Sequence, residues 1–472
     1  MTLRFGTDGV RGIANAELTP ELVLALGRAA ARVLGRSPSG PLSGGPGPSG
    51  PLSGRPGPFL VGRDTRISGP SVQAALSAGL ATEGADVVDL GVLPTPGVAW
   101  LSAADQRPAA MISASHNPFQ DNGVKFFLAG GRKLSDEIEA ALEAELDRLI
   151  AHPKVDERRV GAALGRLLPG AGHDRYQAAL VASVDGRSLA GLSVVLDCAN
   201  GAASEVAPEV MRALGAEVTV LHDTPDGVNI NDACGSTYPQ ELQRQVVARG
   251  ASVGLAFDGD ADRVLAVDHT GALVDGDQLI AVCAIDRRAQ GQLPGDTVVV
   301  TVMANLGFRQ AMAGHGIALI ETDVGDRNVL EEMDRGGWSL GGEQSGHIIF
   351  GDLATTGDGV LTGLQVLDVM VRTGRSLADL AGVMRRLPQV LRNVPVATRG
   401  PSLSGSEDLM LAVKAVEADL GERGRVLVRA SGTEAVVRVM VEAFTAEEAE
   451  AACETLCLVV RRTLGAQTPA GA

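Results

Sequence analysis

Short apolar runs alternate with amphipathic runs over most of this chain. An apolar run of four to eight residues is typical of a buried strand, whereas apolar residues spaced three or four apart indicate a helix. Alternation of the two predicts α/β domains with largely parallel sheets. The predicted strands are 109–113, 193–197, 252–257, 297–302 and 317–320. The predicted helices are 70–83, 136–150, 205–214, 239–249 and 359–371.

The alternation begins afresh near residues 5, 190 and 295, which predicts three related α/β units. The C-terminal segment differs, because two apolar runs at 425–429 and 436–443 flank a short loop and a helical run follows them. We interpret this segment as a smaller α+β domain. The predicted domains are 1–165, 166–270, 271–387 and 388–472.

Residues 37–58 have a different composition, since 19 of these 22 residues are Gly, Pro or Ser. The string PSGPLSG occurs at 38–44 and again at 48–54. Such a segment lacks the apolar side chains that a packed core needs, so we expect a flexible surface insertion. A proline-motif docking site is the other interpretation. The segment lies between a predicted helix at 20–34 and a predicted strand at 59–62, so it lengthens a loop.

Composition excludes several classes of protein. Hydrophobic residues make up 45% of the chain and charged residues 21%, which excludes disorder throughout. The formal net charge of −16 disfavours sequence-independent nucleic-acid binding, because that needs a basic surface. No apolar signal core begins the sequence and no apolar run is long enough for a membrane helix. We therefore expect a cytoplasmic protein with neither nucleic acid nor membrane as a partner.

Two loops at the ends of predicted strands carry candidate catalytic groups, because ligands of α/β sheets bind outside the carboxyl ends of strands. In SASHNP (113–118), Ser115 is a candidate nucleophile with His116 beside it, and a polar turn is the other interpretation. In DGDADR (258–263), Asp258, Asp260 and Asp262 alternate. Three such carboxylates repel one another unless a cation neutralises them, and hard oxygen ligands suit Mg²⁺. A solvated acidic turn is the alternative.

Two further loops have the composition of binding loops. In GGEQSGH (341–347), Glu343, Ser345 and His347 alternate and suit a sugar polyol, although a glycine-rich hairpin turn is also compatible. The RASGTE loop (429–434) and Arg438 combine guanidinium, hydroxyl and backbone donors that suit a phosphate, or else form an ordinary polar turn. Together, the four loops provide a nucleophile, a metal site, a polyol loop and a phosphate clamp. That combination points to phosphoryl transfer on a sugar phosphate.

The chain resembles the α-D-phosphohexomutase superfamily over nearly its whole length. The similar motifs occur in the family's order and are FGTDGVRG (5–12), GRDTR (62–66), SASHNP (113–118), DGDADR (258–263), GGEQSGH (341–347) and RASGTE (429–434). The GEQSGH form, with Gln344, and the ATTGDG stretch (354–359) resemble the branch that acts on glucosamine phosphates. Two positions depart from the family pattern: Ala435 stands where proline is common, and Tyr238 where histidine is frequent.

The resemblance implies a fold of four domains around a central cleft: three related α/β units with mixed, mostly parallel sheets, and a smaller C-terminal α+β domain. It implies interconversion of glucosamine 6-phosphate and glucosamine 1-phosphate, through a phosphoserine at Ser115 and a glucosamine 1,6-bisphosphate intermediate. One Mg²⁺ per subunit would be held by Asp258, Asp260, Asp262 and the phosphorylated Ser115. The product lies on the route to UDP-N-acetylglucosamine and peptidoglycan precursors, and a homodimer is the family expectation.

The resemblance also assigns roles by position. The expected catalytic residues are Ser115, His116, Lys125, Arg11 and Arg263. The expected substrate-binding residues are Glu343, Ser345, His347, Arg429, Ser431, Gly432, Thr433 and Arg438. Three rival functions keep the same fold. They are a mutase of glucose or mannose phosphates, a magnesium-dependent sugar phosphatase, and a catalytically silent sugar-phosphate sensor.

Overall fold

The computed structural model describes residues 9–35, 56–152, 160–397, 403–431 and 435–465. The described residues pack into two units. The first comprises the chain up to Met303 together with Ile317–Gly382, and the second comprises Ala304–Gly316 together with the chain from Val383 onward. None of the helices in the described ranges is both long enough and apolar enough to span a bilayer.

The N-terminal part of the first unit forms a six-stranded sheet in the order β1-β5-β4-β2-β3-β6. Its elements are β1 (Val10–Ile13), α1 (Pro20–Val33), β2 (Phe59–Arg63), α2 (Gly69–Thr82), β3 (Val87–Val92), α3 (Thr95–Asp105), β4 (Ala109–Ile112), β5 (Asp121–Phe127), α4 (Asp136–Ala151) and β6 (Leu167–Pro169). Strands β4, β2, β3 and β6 are parallel, whereas β5 is antiparallel to both β4 and β1. The sheet is therefore mixed, with a parallel centre.

The next part of the first unit forms a five-stranded sheet in the order β11-β10-β9-β7-β8. Its elements are α5 (His173–Ala182), β7 (Ser193–Asp197), α6 (Ala203–Ala213), β8 (Glu217–Leu221), α7 (Gln240–Arg249), β9 (Val253–Phe257), β10 (Val264–Asp268) and β11 (Leu273–Val274). Strand β9 is buried along its whole length and lies between parallel β7 and antiparallel β10. The six-residue loop after β9 is therefore anchored on both sides.

A third sheet has the order β13-β12-β14-β15. Its elements and the helices of this part of the chain are α8 (Gly276–Ala289), β12 (Thr297–Thr301), α9 (Leu306–Gly314), β13 (Ala318–Thr322), α10 (Asp326–Gly336), β14 (Leu340–Gly342), β15 (Ile348–Phe350), α11 (Gly359–Thr373) and α12 (Leu377–Ala381). Strands β13, β12 and β14 are parallel, and β15 turns back antiparallel to β14. Helix α9 packs in the second unit.

The rest of the second unit is a three-stranded antiparallel sheet, β16-β18-β17, with two helices. Its elements are β16 (Gln389–Pro395), α13 (Glu407–Leu420), β17 (Gly424–Ala430), β18 (Val436–Ala443) and α14 (Ala446–Leu464). Apolar residues of β18 and α14 form its core, including Val439, Val441, Cys453 and Leu456. The four sheets confirm the predicted class of three mixed α/β sheets and a smaller C-terminal α+β unit.

The Gly/Pro/Ser segment joins α1 to β2, so it lengthens one loop as predicted. Most of it, residues 37–55, lies outside the described residues, and the expectation of a flexible insertion stays a prediction. The backbone N–H of Gly57 donates to the carbonyl of Gly35 at 3.3 Å. The two ends of this loop, after α1 and before β2, are therefore in contact.

Candidate active site

Ser115 lies in the loop that connects β4 to β5. Its backbone is left-handed, with φ of +52°, and its side chain is buried. A non-glycine residue in this region is uncommon and costs about 1–2 kcal/mol, so the surrounding structure must hold it there. The Ser115 hydroxyl donates to Oδ2 of Asp258 at 2.6 Å. The proposed nucleophile and the acidic loop are therefore in direct contact.

The acidic loop follows β9 and buries three carboxylates together. One oxygen from each of Asp258, Asp260 and Asp262 lies within 4.8 Å of the others. Burial raises the pKa of Asp258 well above its usual value, and the neighbouring charges of Asp262 and Asp260 add to the effect. The Oδ1 atoms of Asp260 and Asp262 are buried without a hydrogen-bond partner. Buried, unpartnered carboxylate oxygens are what a hard cation such as Mg²⁺ would bind, so the residues present fit that ion.

Gly259 lets this loop approach the serine. A Cβ at this position would lie 2.6 Å from the Ser115 carbonyl oxygen, so any side chain would separate the two loops. The close approach of the two backbones therefore depends on the glycine in DGDADR.

Lys125 and Arg263 bring positive charge to the carboxylates. Lys125, on β5, places its Nζ 2.6 Å from Oδ2 of Asp260 and 3.7 Å from Oδ2 of Asp262. Although burial alone would raise the pKa of Asp262, Lys125, His347 and Arg263 together hold it well below its usual value. Lys125, Arg263 and His347 thus offset part of the negative charge, although the pKa of Asp258 stays raised.

His116 lies beside the nucleophile with its side chain partly exposed. Its Nδ1 is 3.3 Å from the Ser115 hydroxyl and 3.4 Å from Nη1 of Arg263. Burial lowers the pKa of His116, and the charges of Arg263 and Arg11 lower it further. The imidazole is therefore neutral near pH 7. Arg11 lies on β1 opposite Gly123 of β5, close enough to act on this histidine.

The glycine-rich loop is the turn between β14 and β15. Gly346 has a φ of +93°, and a Cβ there would lie 2.1 Å from the carbonyl oxygen of Val264 on β10. The carbonyl of Gly346 accepts the backbone N–H of Val264 at 3.1 Å. Because β10 directly follows the acidic loop, this contact holds the turn next to the carboxylates. Ser345 is exposed, and Glu343 is half-buried with its Oε1 accepting the N–H of Gly325.

The second unit carries the predicted phosphate loop on the hairpin of β17 and β18. Arg429 and Arg438 lie directly opposite each other in the register of these strands. Ser431 is buried, and its N–H donates to the carbonyl of Val436. Gly432 and Thr433 lie outside the described residues. Like charges placed directly opposite on two strands repel, and a bound anion would relieve that repulsion.

Four family models match the chain in order and together span most of it. They describe phosphoglucomutase/phosphomannomutase domains: alpha/beta/alpha domain I at 2–151, domain II at 174–271, domain III at 275–387, and the C-terminal domain at 391–458. The chain belongs to the phosphoglucomutase/phosphomannomutase family. This membership confirms the resemblance that the six motifs indicated.

Relatives within the family are similar over their full length. The chain is 51% identical to a phosphoglucosamine mutase from Symbiobacterium thermophilum, covering 98% of this chain and 100% of the relative. It is 52% identical to a phosphoglucosamine mutase from Moorella thermoacetica, covering 94% and 96%. A crystal structure of a phosphoglucomutase/phosphomannomutase family protein from Burkholderia thailandensis has the same fold, with a TM-score of 0.75, 23% identity and 97% of each chain covered.

His347 has contacts that differ from those we expected of a sugar-binding residue. Its ring is buried, Nε2 accepts the N–H of Gly357 at 3.0 Å, and Nδ1 is 3.7 Å from Oδ2 of Asp262. Both ring nitrogens therefore face protein groups. In this family member the ring supports a carboxylate of the acidic loop, and its contact with sugar stays a prediction.

The two departures from the family pattern lie away from the serine loop in sequence. Tyr238 is 52% exposed, and its N–H donates to the carbonyl of Gly235. Ala435 precedes β18, and its carbonyl accepts the N–H of Val396. Both side chains are exposed, so neither departure changes the packing of a core.

Sequence reasoning missed three side chains that hold these loops. Thr95, at the start of α3, donates its hydroxyl to Oδ2 of Asp260 at 2.7 Å. Arg66 and Asn231 both donate to carbonyls of the serine loop. Arg66 belongs to the GRDTR motif, which was the one available signal, whereas nothing in the sequence around Asn231 distinguishes it from other loop asparagines.

A second group of residues in this family member has the composition of a metal site. Asp197, His222 and Cys234 bring one ligand atom each within 4.8 Å of the others. However, both oxygens of Asp197 already accept backbone N–H groups, and Oδ1 also lies 3.0 Å from Nδ1 of His222. An ion pair accounts for this arrangement, because the close contact with Asp197 raises the pKa of His222.

Proposed function

We propose that this protein is a phosphoglucosamine mutase, which interconverts glucosamine 6-phosphate and glucosamine 1-phosphate. The observation that carries the proposal is about 50% identity, over nearly the whole chain, to several relatives of that name. The geometry agrees with the chemistry, because the hydroxyl of Ser115 is buried against the acidic loop rather than exposed in a polar turn.

Ser115 is the residue that would carry the phosphoryl group between substrates. In the proposed cycle, phosphoserine gives its phosphoryl group to glucosamine 6-phosphate and forms glucosamine 1,6-bisphosphate. The freed Ser115 oxygen then attacks the other phosphorus, that phosphorus–oxygen bond to the sugar breaks, and glucosamine 1-phosphate leaves. As the Ser115 oxygen attacks, its proton would pass to Oδ2 of Asp258, which already accepts that hydrogen bond, and it would return to the oxygen when phosphoserine gives up its phosphoryl group.

Neighbouring side chains would orient the reacting groups and move protons. Neutral His116 can accept a proton from the sugar hydroxyl that attacks phosphoserine. It would return that proton to the other sugar oxygen when the bond from that oxygen to phosphorus breaks in the second step. Lys125 forms an ion pair with Asp260 and can also donate a hydrogen bond to the reacting sugar oxygen. Arg11 and Arg263 add positive charge where negative charge spreads over the transferring group.

Asp258, Asp260 and Asp262 would hold one Mg²⁺, with an oxygen of the phosphorylated Ser115 as a further ligand. Bound there, the ion would neutralise charge on the transferring phosphoryl group. The Oδ1 atoms of Asp260 and Asp262, which are buried and accept no hydrogen bond, support this assignment.

Substrate recognition would use the remaining predicted residues. Glu343 and Ser345 would bind sugar hydroxyls, with His347 behind them. The phosphate that does not react would bind to Arg429, Ser431, Gly432, Thr433 and Arg438. The partners are thus small hexosamine phosphates. We further propose a cytoplasmic homodimer that supplies amino-sugar metabolism and peptidoglycan precursor biosynthesis.

A mutase of glucose or mannose phosphates is the second candidate, since the matching family models carry that description. The test measures turnover on glucosamine 6-phosphate, glucose 1-phosphate and mannose 1-phosphate, with Mg²⁺ and a trace of sugar 1,6-bisphosphate. We expect kcat/KM for glucosamine to be higher by about tenfold or more, equivalent to roughly 1.4 kcal/mol in transition-state binding. Ser115→Ala, the control, should fold normally and lose turnover, because it lacks the phosphate carrier.

The other outcomes are distinct. A preference for glucose or mannose would keep the mechanism and reject the substrate. Release of inorganic phosphate without isomerisation would identify a phosphatase, and normal turnover by Ser115→Ala would reject the phosphoserine mechanism.

A further inference from the structure

Arg66 is buried beneath the serine loop and is only 1% exposed. Its guanidinium forms an ion pair with Asp64 at 2.9 Å and donates the rest of its hydrogen bonds to backbone carbonyls. The four carbonyls belong to Ser115, Asn117, Pro118 and Asp121. One side chain therefore binds most of the turn that carries the nucleophile.

Asn231 binds two of the same carbonyls from another part of the fold. It lies in the loop between β8 and α7, with a left-handed φ of +59° and an 8% exposed side chain. Its Nδ2 donates to the carbonyl of Ser115 at 3.0 Å and to that of Asn117 at 3.1 Å. Arg66 donates to these carbonyls at 2.8 and 2.9 Å. The carbonyls of Ser115 and Asn117 thus accept hydrogen bonds from Arg66, in a loop of the first sheet, and from Asn231, in a loop of the second.

The segment 64–67 links the two sides. Side chains of alternate residues, Asp64 and Arg66, face the serine loop. The other two residues, Thr65 and Ile67, contact the loops after β7 and β8: the Thr65 hydroxyl donates to the carbonyl of Asn200 at 2.6 Å, and the Ile67 N–H donates to that of Gly227 at 2.8 Å. Any shift of this segment relative to the second sheet would therefore move Arg66.

The same network reaches the amide of the nucleophile. Ser113 accepts the N–H of Ser115 at 2.9 Å and donates its own hydroxyl to Oδ2 of Asp64 at 2.7 Å. The amide and the carbonyl of Ser115 are thus both fixed by side chains. With φ held at +52°, the backbone places the Ser115 side chain beside the acidic loop, where its hydroxyl donates to Asp258.

We propose that Arg66 and Asn231 are positioning residues that clamp the Ser115 and Asn117 carbonyls and so aim the Ser115 oxygen at the acidic loop. This inference rests on the proposed phosphoserine function and adds two residues to it. Neither residue needs to touch substrate. Losing a donor should therefore reduce the rate of phosphoryl transfer and leave sugar binding nearly unchanged, because small misplacement of a reacting atom lowers rate steeply.

The decisive variants are Asn231→Asp and Asn231→Ala. Asp keeps the size of Asn and tolerates its backbone conformation, yet it places an acceptor against two carbonyl oxygens. We expect kcat to fall about 100-fold in Asn231→Asp and about 10-fold in Asn231→Ala, with KM within about threefold of wild type. If Asn231 only packed against its neighbours, kcat would fall more in Asn231→Ala than in Asn231→Asp, because Asp fills the space and Ala does not.

Asn328 offers a matched control, because its Nδ2 also donates to two backbone carbonyls, those of Asp323 and Val324, at the start of α10. Asn328→Asp and Asn328→Ala should leave kcat within about twofold of wild type. Arg66→Lys keeps one charge but loses the planar donor fork, so we expect it to lower kcat by more than Asn231→Ala does.

Hydrogen exchange gives a readout that does not depend on activity. Peptides that cover residues 113–121 should exchange faster in Asn231→Asp and Asn231→Ala than in the two Asn328 variants. Unchanged exchange there, or a kcat for Asn231→Asp at least as high as that of Asn231→Ala, would overturn the clamp. Wild-type protein that turns over no hexose phosphate would overturn the proposed function instead, and the exchange rates would still decide the clamp.

Discussion

Asp358 is a buried carboxyl that serves two neighbours at once. Its Oδ1 caps α11 by accepting the N–H of Leu361, and its Oδ2 accepts the hydroxyl of Tyr176 at 2.7 Å. Burial raises its pKa from 3.8 to about 6, although both hydrogen bonds oppose that shift. The folded protein therefore binds this proton more tightly than the unfolded chain does. Stability from it is full below pH 3.8 and is lost as the pH rises through about 6.

Replacing Asp358 by Asn should remove this pH dependence. The amide oxygen of Asn can still cap the helix, and it has no charge to bury. Between pH 4 and pH 7 we expect the variant to gain on wild type in free energy of unfolding by up to about 3 kcal/mol. Thermal melts across this range would measure the change.

Tyr176→Phe should act in the opposite direction. It removes a donor that favours the ionised carboxyl, so stability should fall more steeply with rising pH than in wild type. Parallel melting curves for wild type and both variants would contradict the raised pKa of Asp358.

Individual site residues were predictable where a motif places several functional side chains together. Ser115, Asp258, Asp260 and Asp262 could be found in this way because strand ends bring such groups to one edge of a sheet. Arg66 and Asn231 could not, since their partners are backbone carbonyls 49 to 116 residues away. Backbone acceptors are the same at every position and leave no pattern in a sequence.

Helices and strands were predictable where their apolar patterns are clear. The predicted strand at 252–257 is β9, and the predicted helix at 359–371 is α11, which extends to Thr373. Helix α3 was harder to see, because most of its first eight residues are buried and it has no polar stripe. The antiparallel strands β5 and β10 also lack a sequence signal for their direction, which depends on pairing with distant strands.

The loop between α1 and β2 should tolerate shortening. Its ends are joined by the Gly57–Gly35 hydrogen bond, so a short linker can replace residues 37–55. A fourfold shorter loop should raise the free energy of unfolding by about 1 kcal/mol, because each halving of the loop length lowers the entropic cost of closing the loop by about 0.6 kcal/mol. We expect kcat within about twofold of wild type. Melting temperature and turnover test this, and a marked loss of either would show that the segment has a role.

Over the whole molecule, positive charge is scarce, with 41 Lys and Arg against 57 Asp and Glu. The site nevertheless gathers Lys125, Arg263 and Arg11 around buried carboxylates and the serine. A local basic cluster can attract an anionic sugar phosphate despite the acidic total. Even beside these cations, burial and the charges of Asp262 and Asp260 raise the pKa of Asp258, so its ionised form should lower the stability of the first unit when no metal is bound.

This conflict predicts opposite effects of one substitution with and without metal. Asp258→Asn removes one of three mutually repelling charges, so in EDTA it should melt about 1–3 °C above wild type. Added Mg²⁺ should stabilise wild type by about 2.7 kcal/mol at a hundredfold excess over its dissociation constant and should stabilise the variant much less, so that the order reverses. Asp185→Asn, a surface change of equal charge, should show neither effect. A wild type that melts above Asp258→Asn in EDTA would mean that the aspartates are already neutralised by Lys125 and Arg263, and that the site was not built around a cation.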